Sequence, residues 1–242
     1  VGDKMKEHTG VSGKMFTSLG NNGINIHAIA QGSSERNISA IISSKDVRKA
    51  VNTLHEEFFS DGNKQINVFI AGVGTVGSRL IDQLRAQHQH LLDELRLNVR
   101  VVGIANSKRA IVANDGLDLN EYRISLANAP AKSISAFADE IIEQNLRNSV
   151  FVDVTASSDV VAVYDKLLSK SISVIACNKV AASSEFEKYS HLKETAREFG
   201  TNFFFETNVG AGLPVINTLN DLLRSGDRVN RIEAVLSVTL NF

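Results

Sequence analysis

Between residues 9 and 23 the apolar side chains Val11, Met15, Phe16 and Leu19 recur at helical spacing, followed by Gly20-Asn21-Asn22-Gly23. That pattern predicts a helix closed by a turn. Residues 24–30 alternate apolar and polar, and residues 37–42 form a second β-like run beyond a polar loop, so two strands are expected. Residues 45–59 carry Val47, Val51, Leu54 and Phe58 as one apolar helical stripe. The order helix, strand, strand, helix is one strand short of a βαββαβ unit, and about 60 residues bury little surface alone, so the amino end reads as a cut. Ser60-Asp61-Gly62-Asn63-Lys64 is the expected polar boundary, giving a first domain at 1–62.

Beyond it the pattern becomes strand-helix alternation. Apolar strands are expected at 66–71, 99–105, 150–155, 173–177 and 202–206, and helices at 75–87, 134–146, 160–169, 185–199 and 215–224. Strands of continuous apolar character separated by helices predict an α/β fold, a doubly wound Rossmann-type parallel sheet covered on both faces. It is preceded by the partial α+β unit. Residues 231–240 are a further strand candidate without a partner in the chain, so the carboxyl end also reads as a cut, and an unpaired edge there would favour association.

Composition narrows the function. With 26 Lys+Arg against 27 Asp+Glu in 242 residues the net charge is −1, which does not suggest nucleic acid or an anionic membrane as partner. The absence of a long apolar run or a basic-then-apolar leader makes a cytoplasmic location the expectation. The single cysteine, Cys177, excludes an intrachain disulfide and a cysteine metal cluster.

The candidate chemistry begins at Gly72-Val73-Gly74-Thr75-Val76-Gly77, a GxGxxG between an expected strand and an expected helix. Gly72 suits a tight turn, Gly74 close approach of a pyrophosphate, and Gly77 close helix packing, while the helix supplies free N–H groups. The alternative is a merely structural turn. The second strand ends in Asn106-Ser107-Lys108-Arg109, which has cations where an NAD site commonly has an acid, so NADP is favoured over NAD. A solvated basic turn would look the same. The offset from Gly72 to Asn106 is 34 residues, longer than the usual span of about 20, with the insertion at 87–97. His88 and His90 in that insertion are expected on an exposed helix extension rather than on a metal. Two more strand ends fall on the ligand edge of such a sheet: Asp153-Val154-Thr155-Ala156-Ser157, small and hydroxyl-rich, and Cys177-Asn178-Lys179, whose ammonium can polarise a carbonyl or hold a carboxylate. Helix capping and a surface lysine are the respective alternatives. Finally, Glu206-Thr207-Asn208-Val209-Gly210-Ala211-Gly212-Leu213-Pro214 gathers one carboxylate and several carbonyls, oxygen ligands suited to a hard cation, unless it is only a turn before a Pro-initiated helix.

Taken together, these residues make the chain resemble the bifunctional aspartokinase/homoserine dehydrogenases over essentially its whole length. Residues 1 to about 60, with Thr9-Gly10-Val11-Ser12-Gly13 and the run from Ile24 to Ser33, resemble an ACT regulatory unit; 63–205 resemble the NADP domain; 206–242 resemble the entry to the catalytic domain. The resemblance implies NADP(H) bound by the glycine loop with Ser107, Lys108 and Arg109, Thr155 to Ser157 and Lys179 along the nicotinamide, and Lys179 near the substrate. It implies a monovalent cation, Na+ or K+, at Glu206 with the carbonyls of Val209, Ala211 and Leu213. Gln31 sits where such ACT units contact an effector amino acid, threonine being one. Reduction of aspartate semialdehyde to homoserine in amino-acid biosynthesis is the implied reaction, in a homo-oligomeric full-length protein. The sequence departs from the family at Val180, where a second lysine is common, and at Val238, where the family has glycine. The family's proton-transfer residues would lie beyond residue 242 and the kinase before residue 1, so this stretch alone is expected to bind NADPH with little or no turnover. Two rivals stay open: a non-enzymatic nucleotide and amino-acid sensor, and another NADP-dependent amino acid dehydrogenase.

Overall fold

The computed structural model describes residues 1–2, 5, 7–32, 36–59 and 63–234. The chain opens with α1 (Val11–Asn21), β1 (Ile26–Gln31), β2 (Ile38–Ile42) and α2 (Val47–Phe59). The two strands are antiparallel, pairing Ile26 with Ile42 and Gln31 with Ile38. Leu19, Ile24 and Ala50 form a small core with Met15, Ile26, Ile42 and Leu54 packed against it. The stripe on α2 is rotated from the one expected: Val47 and Val51 are exposed at 47% and 60%, while Lys49, Ala50 and Thr53 are buried. The reason is tertiary. This helix docks a polar face on the rest of the molecule, where Lys49 Nζ donates to Asn145 Oδ1 at 3.1 Å and Arg147 Nε to Glu56 Oε2 at 2.8 Å.

The remainder is a six-stranded sheet built from β3 (Lys64–Ala71), β4 (Leu97–Ala105), β5 (Ala110–Val112), β6 (Ser149–Asp153), β7 (Ser173–Ala176) and β8 (Phe203–Phe204), in the order β5-β4-β3-β6-β7-β8. All neighbours are parallel except β5, which runs antiparallel to β4. Strand order reverses between β3 and β6, the switch point at which such sheets open a crevice at their carboxyl ends. Alternation along each strand feeds two cores. Val68 and Ile70 join Ile81 of α3 (Thr75–Asp93) and Leu126 of α4 (Tyr122–Asn128) on one face. Phe69 and Phe151 face α5 (Ile134–Gln144), α7 (Tyr164–Leu168) and α8 (Phe186–Glu198) on the other. There the rings of Phe69, Phe137, Phe151, Tyr164 and Phe203 follow one another at centroid spacings of 6.5, 6.5, 6.4 and 5.9 Å, an arrangement of tilted and edge contacts that packs better than face-to-face stacking.

Several elements differ from expectation. Strand β5 and helix α4 lie in a stretch whose periodicity is too short to read. The helix expected at 160–169 is two pieces, α6 (Ser158–Val161) and α7, separated where the Val163 N–H turns back to Val160 O at 3.3 Å. Helix α3 runs on through His88 and His90 to Asp93, with both imidazoles exposed. The last helix, α9 (Val215–Arg224), follows Pro214. Residues 231–234 are irregular rather than strand, and the rest of the strand expected at 231–240, Val238 included, lies outside the described residues. No helix among the described residues is long and apolar enough to cross a membrane.

Candidate functional site

At the end of β3 the chain turns through Gly72, whose φ of 99° is left-handed and whose N–H donates to Ala105 O at 2.8 Å. A Cβ at Gly72 would lie 2.9 Å from Val154 O, and one at Gly77 only 2.0 Å from Gly72 O; one at Gly74 would meet nothing within 4 Å. The loop is therefore closed tightly against β6 and against its own helix, and open at Gly74. Backbone rather than a side chain faces the crevice there. The first-turn N–H groups of α3 have no acceptor within the helix, since Ser78 N–H is the first to close, on Gly74 O at 2.9 Å. No side chain caps this helix and no acid stands in its first turn, so its partial positive charge is left for an external anion. Val73, Thr75 and Val76 complete this surface.

Beside it, the loop after β6 is organised by the carboxylate of Asp153, the first residue of the small, hydroxyl-rich stretch at that strand end. Asp153 is fully buried. Its Oδ1 accepts from Thr155 N at 2.7 Å; its Oδ2 accepts from the Tyr164 hydroxyl at 2.5 Å and from Asn178 Nδ2 at 2.9 Å. Burial and the neighbouring Asp153 carboxylate push the Tyr164 phenol well above the ordinary tyrosine range, so it stays a donor. Asn178, 1% exposed, also donates to Ser157 O at 2.9 Å and accepts from Val180 N at 3.1 Å, while its own carbonyl accepts from Asn208 Nδ2 at 3.2 Å. Asn178, through its side-chain amide and its backbone carbonyl, thus ties together the loops after β6, β7 and β8. The signal in the sequence was a charged residue at the end of an apolar strand paired with an Asn two residues past the next, and it is too weak to find without the fold.

The structure brings the expected residues to one edge with differing engagement. Thr155, Ala156 and Ser157 follow β6 directly, and Ser157 Oγ accepts from Asp159 N at 3.2 Å, so it caps α6. Lys179 is exposed at the start of the turn after β7. Asn106 Oδ1 accepts from both Lys108 N and Arg109 N at 2.8 Å, shaping the turn into β5. Ser107, Lys108 and Arg109 are all exposed, and the Arg109 guanidinium also bonds Ala129 O. Glu206 turns out to hold the front of α9: its Oε1 and Oε2 accept from Ile216 N at 2.9 Å and Asn217 N at 2.8 Å. Each of those oxygens keeps a lone pair, and Ala211 in the same loop has a left-handed φ of 50°. The Leu213 carbonyl already accepts from Val215 N at 2.9 Å. Gln31 ends β1 and is exposed on the other unit.

Comparison with known proteins places these features. The ACT domain family matches residues 1–58, and the family described as homoserine dehydrogenase, NAD binding domain, matches residues 72–206. Over 100% of its length the chain is 38% identical to a bifunctional aspartokinase/homoserine dehydrogenase of Haemophilus influenzae, of which it covers 30%. It is 39% identical, again over 100% of its length, to the chloroplastic bifunctional aspartokinase/homoserine dehydrogenase 2 of Arabidopsis thaliana, covering 26% of it. The chain therefore spans less than a third of these relatives. A solved hyperthermophilic archaeal homoserine dehydrogenase in complex with NADPH is 25% identical with a TM-score of 0.54, over 64% of this chain and 48% of that one.

Proposed function

This chain belongs to the homoserine dehydrogenase family, in its bifunctional aspartokinase-linked form, and on that premise we propose that it is the NADP(H)-binding part of an enzyme interconverting aspartate 4-semialdehyde and homoserine, with an amino-acid-responsive ACT domain attached. One observation carries the reading: a glycine loop closed at Gly72 and Gly77, open at Gly74, and backed by an uncapped helix amino end. Such a loop fits a dinucleotide pyrophosphate, because only backbone stands between the anion and the α3 amides. Ser107 and Lys108 supply a hydroxyl and an ammonium for a 2'-phosphate, which favours NADP over NAD. Arg109 joins them: one guanidinium N–H fixes that turn on the Ala129 carbonyl, and its remaining donors are available to the same phosphate.

When bound, the reduced nicotinamide supplies hydride to the aldehyde carbon. The chain's own contribution is orientation. Asp153 and Asn178 hold Thr155 to Ser157 and the backbone preceding Lys179, and the Lys179 ammonium stabilises negative charge developing on the substrate oxygen. Asp153 and Asn178 are positioning residues; Lys179 is the catalytic residue. A monovalent cation, Na+ or K+, on Glu206 with the carbonyls of Val209, Ala211 and Leu213 belongs to the same reading, and would share the carboxylate with the α9 amides. Substrate turnover, the kinase activity of the longer protein, effector contact at Gln31, homo-oligomerisation and a cytoplasmic location are parts of this proposal.

Calorimetric titration of the chain with NADPH and NADH tests it. The expected result is binding with NADPH preferred, a loss of about tenfold or more in Gly74→Val, and an eroded preference in Lys108→Ala. Failure of the folded chain to bind either nucleotide, or indifference to Gly74→Val, overturns the reading. Homoserine oxidation by the 242-residue chain would overturn the expectation of little or no turnover.

A further inference from the structure

Lys49 is the only lysine buried among the described residues, at 8% exposure, and nothing at the nucleotide edge uses it. It lines a crevice of about 210 Å3 between α2 and the end of α5, together with Lys45, Arg48, Asn52, Gln144 and Asn145. That volume is below the ~300–1,000 Å3 of sites for drug-sized ligands, so the crevice admits only a small molecule. It lies beyond the amino end of β6, at the opposite end of the sheet from the glycine loop.

The setting suits a nucleophile better than a structural cation. An ammonium carries three N–H donors, and among the described residues Lys49 Nζ places one, on Asn145 Oδ1 at 3.1 Å. It enters no ion pair there; the Asp46 carboxylate accepts instead from Asn145 Nδ2 at 2.7 Å. Desolvation lowers the Lys49 pKa to about 8 against the pull of Asp46. About a quarter of the side chain is therefore free amine at about pH 7.5, against about one part in a thousand for an ordinary lysine. The free amine can still donate to Asn145 and has a lone pair left over. A secondary amide formed at the same nitrogen would also keep one N–H for Asn145, and it carries no charge to bury. The crevice thus favours an acylated Lys49 over a protonated one.

The surrounding charges select the acyl donor. Lys45, Asp46 and Arg48 face Lys49 from the turn before α2 and from α2 itself, and Glu143 and Arg147 face it from α5 and the turn that follows. Arg147 is taken by Glu56 at 2.8 Å and Asp46 by the Asn145 amide. Lys45 and Arg48 are exposed and, like Glu143, enter no ion pair among the described residues. Two unpaired cations on the rim against one unpaired carboxylate suit a donor with an anionic leaving group. We propose that Lys49 is a site of covalent acylation by a small acyl phosphate, whose phosphate is held by Lys45 and Arg48. The Nζ lone pair attacks the acyl carbon and forms the N–C bond. The C–O bond to phosphorus breaks, its electron pair leaves with inorganic phosphate, and the nitrogen gives up one proton to water. No oxidant or reductant takes part. The modification removes a charge from the junction of the two domains while the bond from Lys49 to Asn145 is kept. The inference does not rest on the dehydrogenase reading.

Incubation of the folded 242-residue chain with acetyl phosphate, followed by digestion and mass spectrometry at successive times, tests the site. Lys49 is expected to be acetylated about tenfold or more faster than the exposed Lys188, with a rate that levels off above about pH 8. In urea that preference should vanish. The double variant Lys45→Ala/Arg48→Ala should slow the reaction of Lys49 with acetyl phosphate about fivefold or more and leave its reaction with the uncharged donor N-acetylimidazole unchanged. Both substituted residues are exposed, so the fold should survive; if it does not, competition decides, since inorganic phosphate should slow acetyl phosphate and spare N-acetylimidazole in the wild type. Acetylation of Lys49 no faster than that of Lys188 overturns the inference, as does a preference that persists in urea. Equal rates in the double variant and the wild type overturn the part given to Lys45 and Arg48, and with it the acyl phosphate as donor.

Discussion

Lys49 is a buried ammonium at the junction of the two domains, and its cost can be read from pH. It is 8% exposed, its Nζ donates to Asn145 Oδ1 at 3.1 Å, and the Asn145 amide in turn donates to Asp46 Oδ1 at 2.7 Å. Lys45, Arg48, Glu143 and Arg147 line the same crevice. Desolvation lowers its pKa from 10.5 to about 8, with Asp46 opposing the shift. At 1.36 kcal/mol per pH unit that gap is worth ~3 kcal/mol. Because the folded value lies below the unfolded one, the unfolded chain binds more protons between pH 8 and 10.5, and folding becomes more favourable as pH rises through that window. Below it the cost is present in full.

Lys49→Met removes the charge and keeps much of the volume. Urea unfolding of wild type and variant from pH 7 to 10.5, followed by circular dichroism, gives two stability curves whose difference cancels every other titrating group. That difference should move in favour of the wild type by ~3 kcal/mol between pH 7.5 and 10.5. A difference constant within about 0.5 kcal/mol across the range would refute the reasoning, since it would mean that Lys49 keeps its ordinary proton affinity in the folded chain.

Other consequences are equally direct. Tyr164→Phe deletes a bond to a fully buried carboxylate and should cost about 1.5–3 kcal/mol in chemical unfolding. In the same pair, the 295 nm absorbance titration of the folded proteins should coincide up to the pH of unfolding, because the Tyr164 phenol resists ionisation. Gly77→Ala places a Cβ 2.0 Å from Gly72 O and should lower stability by about 1–3 kcal/mol, whereas Gly74→Ala meets open space and should spare the melting temperature while weakening nucleotide binding. Glu206→Ala removes the acceptor for two amides at the front of α9 and should cost about 1 kcal/mol with a measurable loss of helical ellipticity; Glu206→Gln, which keeps an acceptor, should lose less.

Much of this architecture is legible in the residues themselves. Apolar runs bounded by helical stripes mark the strands β3, β4, β6 and β7, because a strand covered on both faces has no polar side to show. The glycine spacing likewise announces its turn: Gly72 needs a positive φ and Gly77 has no room for a side chain, both local demands of the backbone. What the sequence left out is whatever depends on partners distant in the chain. Val47 and Val51 look like core and are exposed, because α2 turns Lys49 inward to meet Asn145, 96 positions later. Asp153 and Asn178 are 25 residues apart and meet only because β6 and β7 are adjacent. Glu206 also caps a helix that begins nine residues on, a bond that its neighbours in the sequence do not show. Periodicity and backbone strain are short-range and are written in neighbouring residues. The pairing of buried charges and the docking of one domain on another are settled only by which surfaces the folded chain brings together, since a buried polar atom is stable only where the fold supplies its partner.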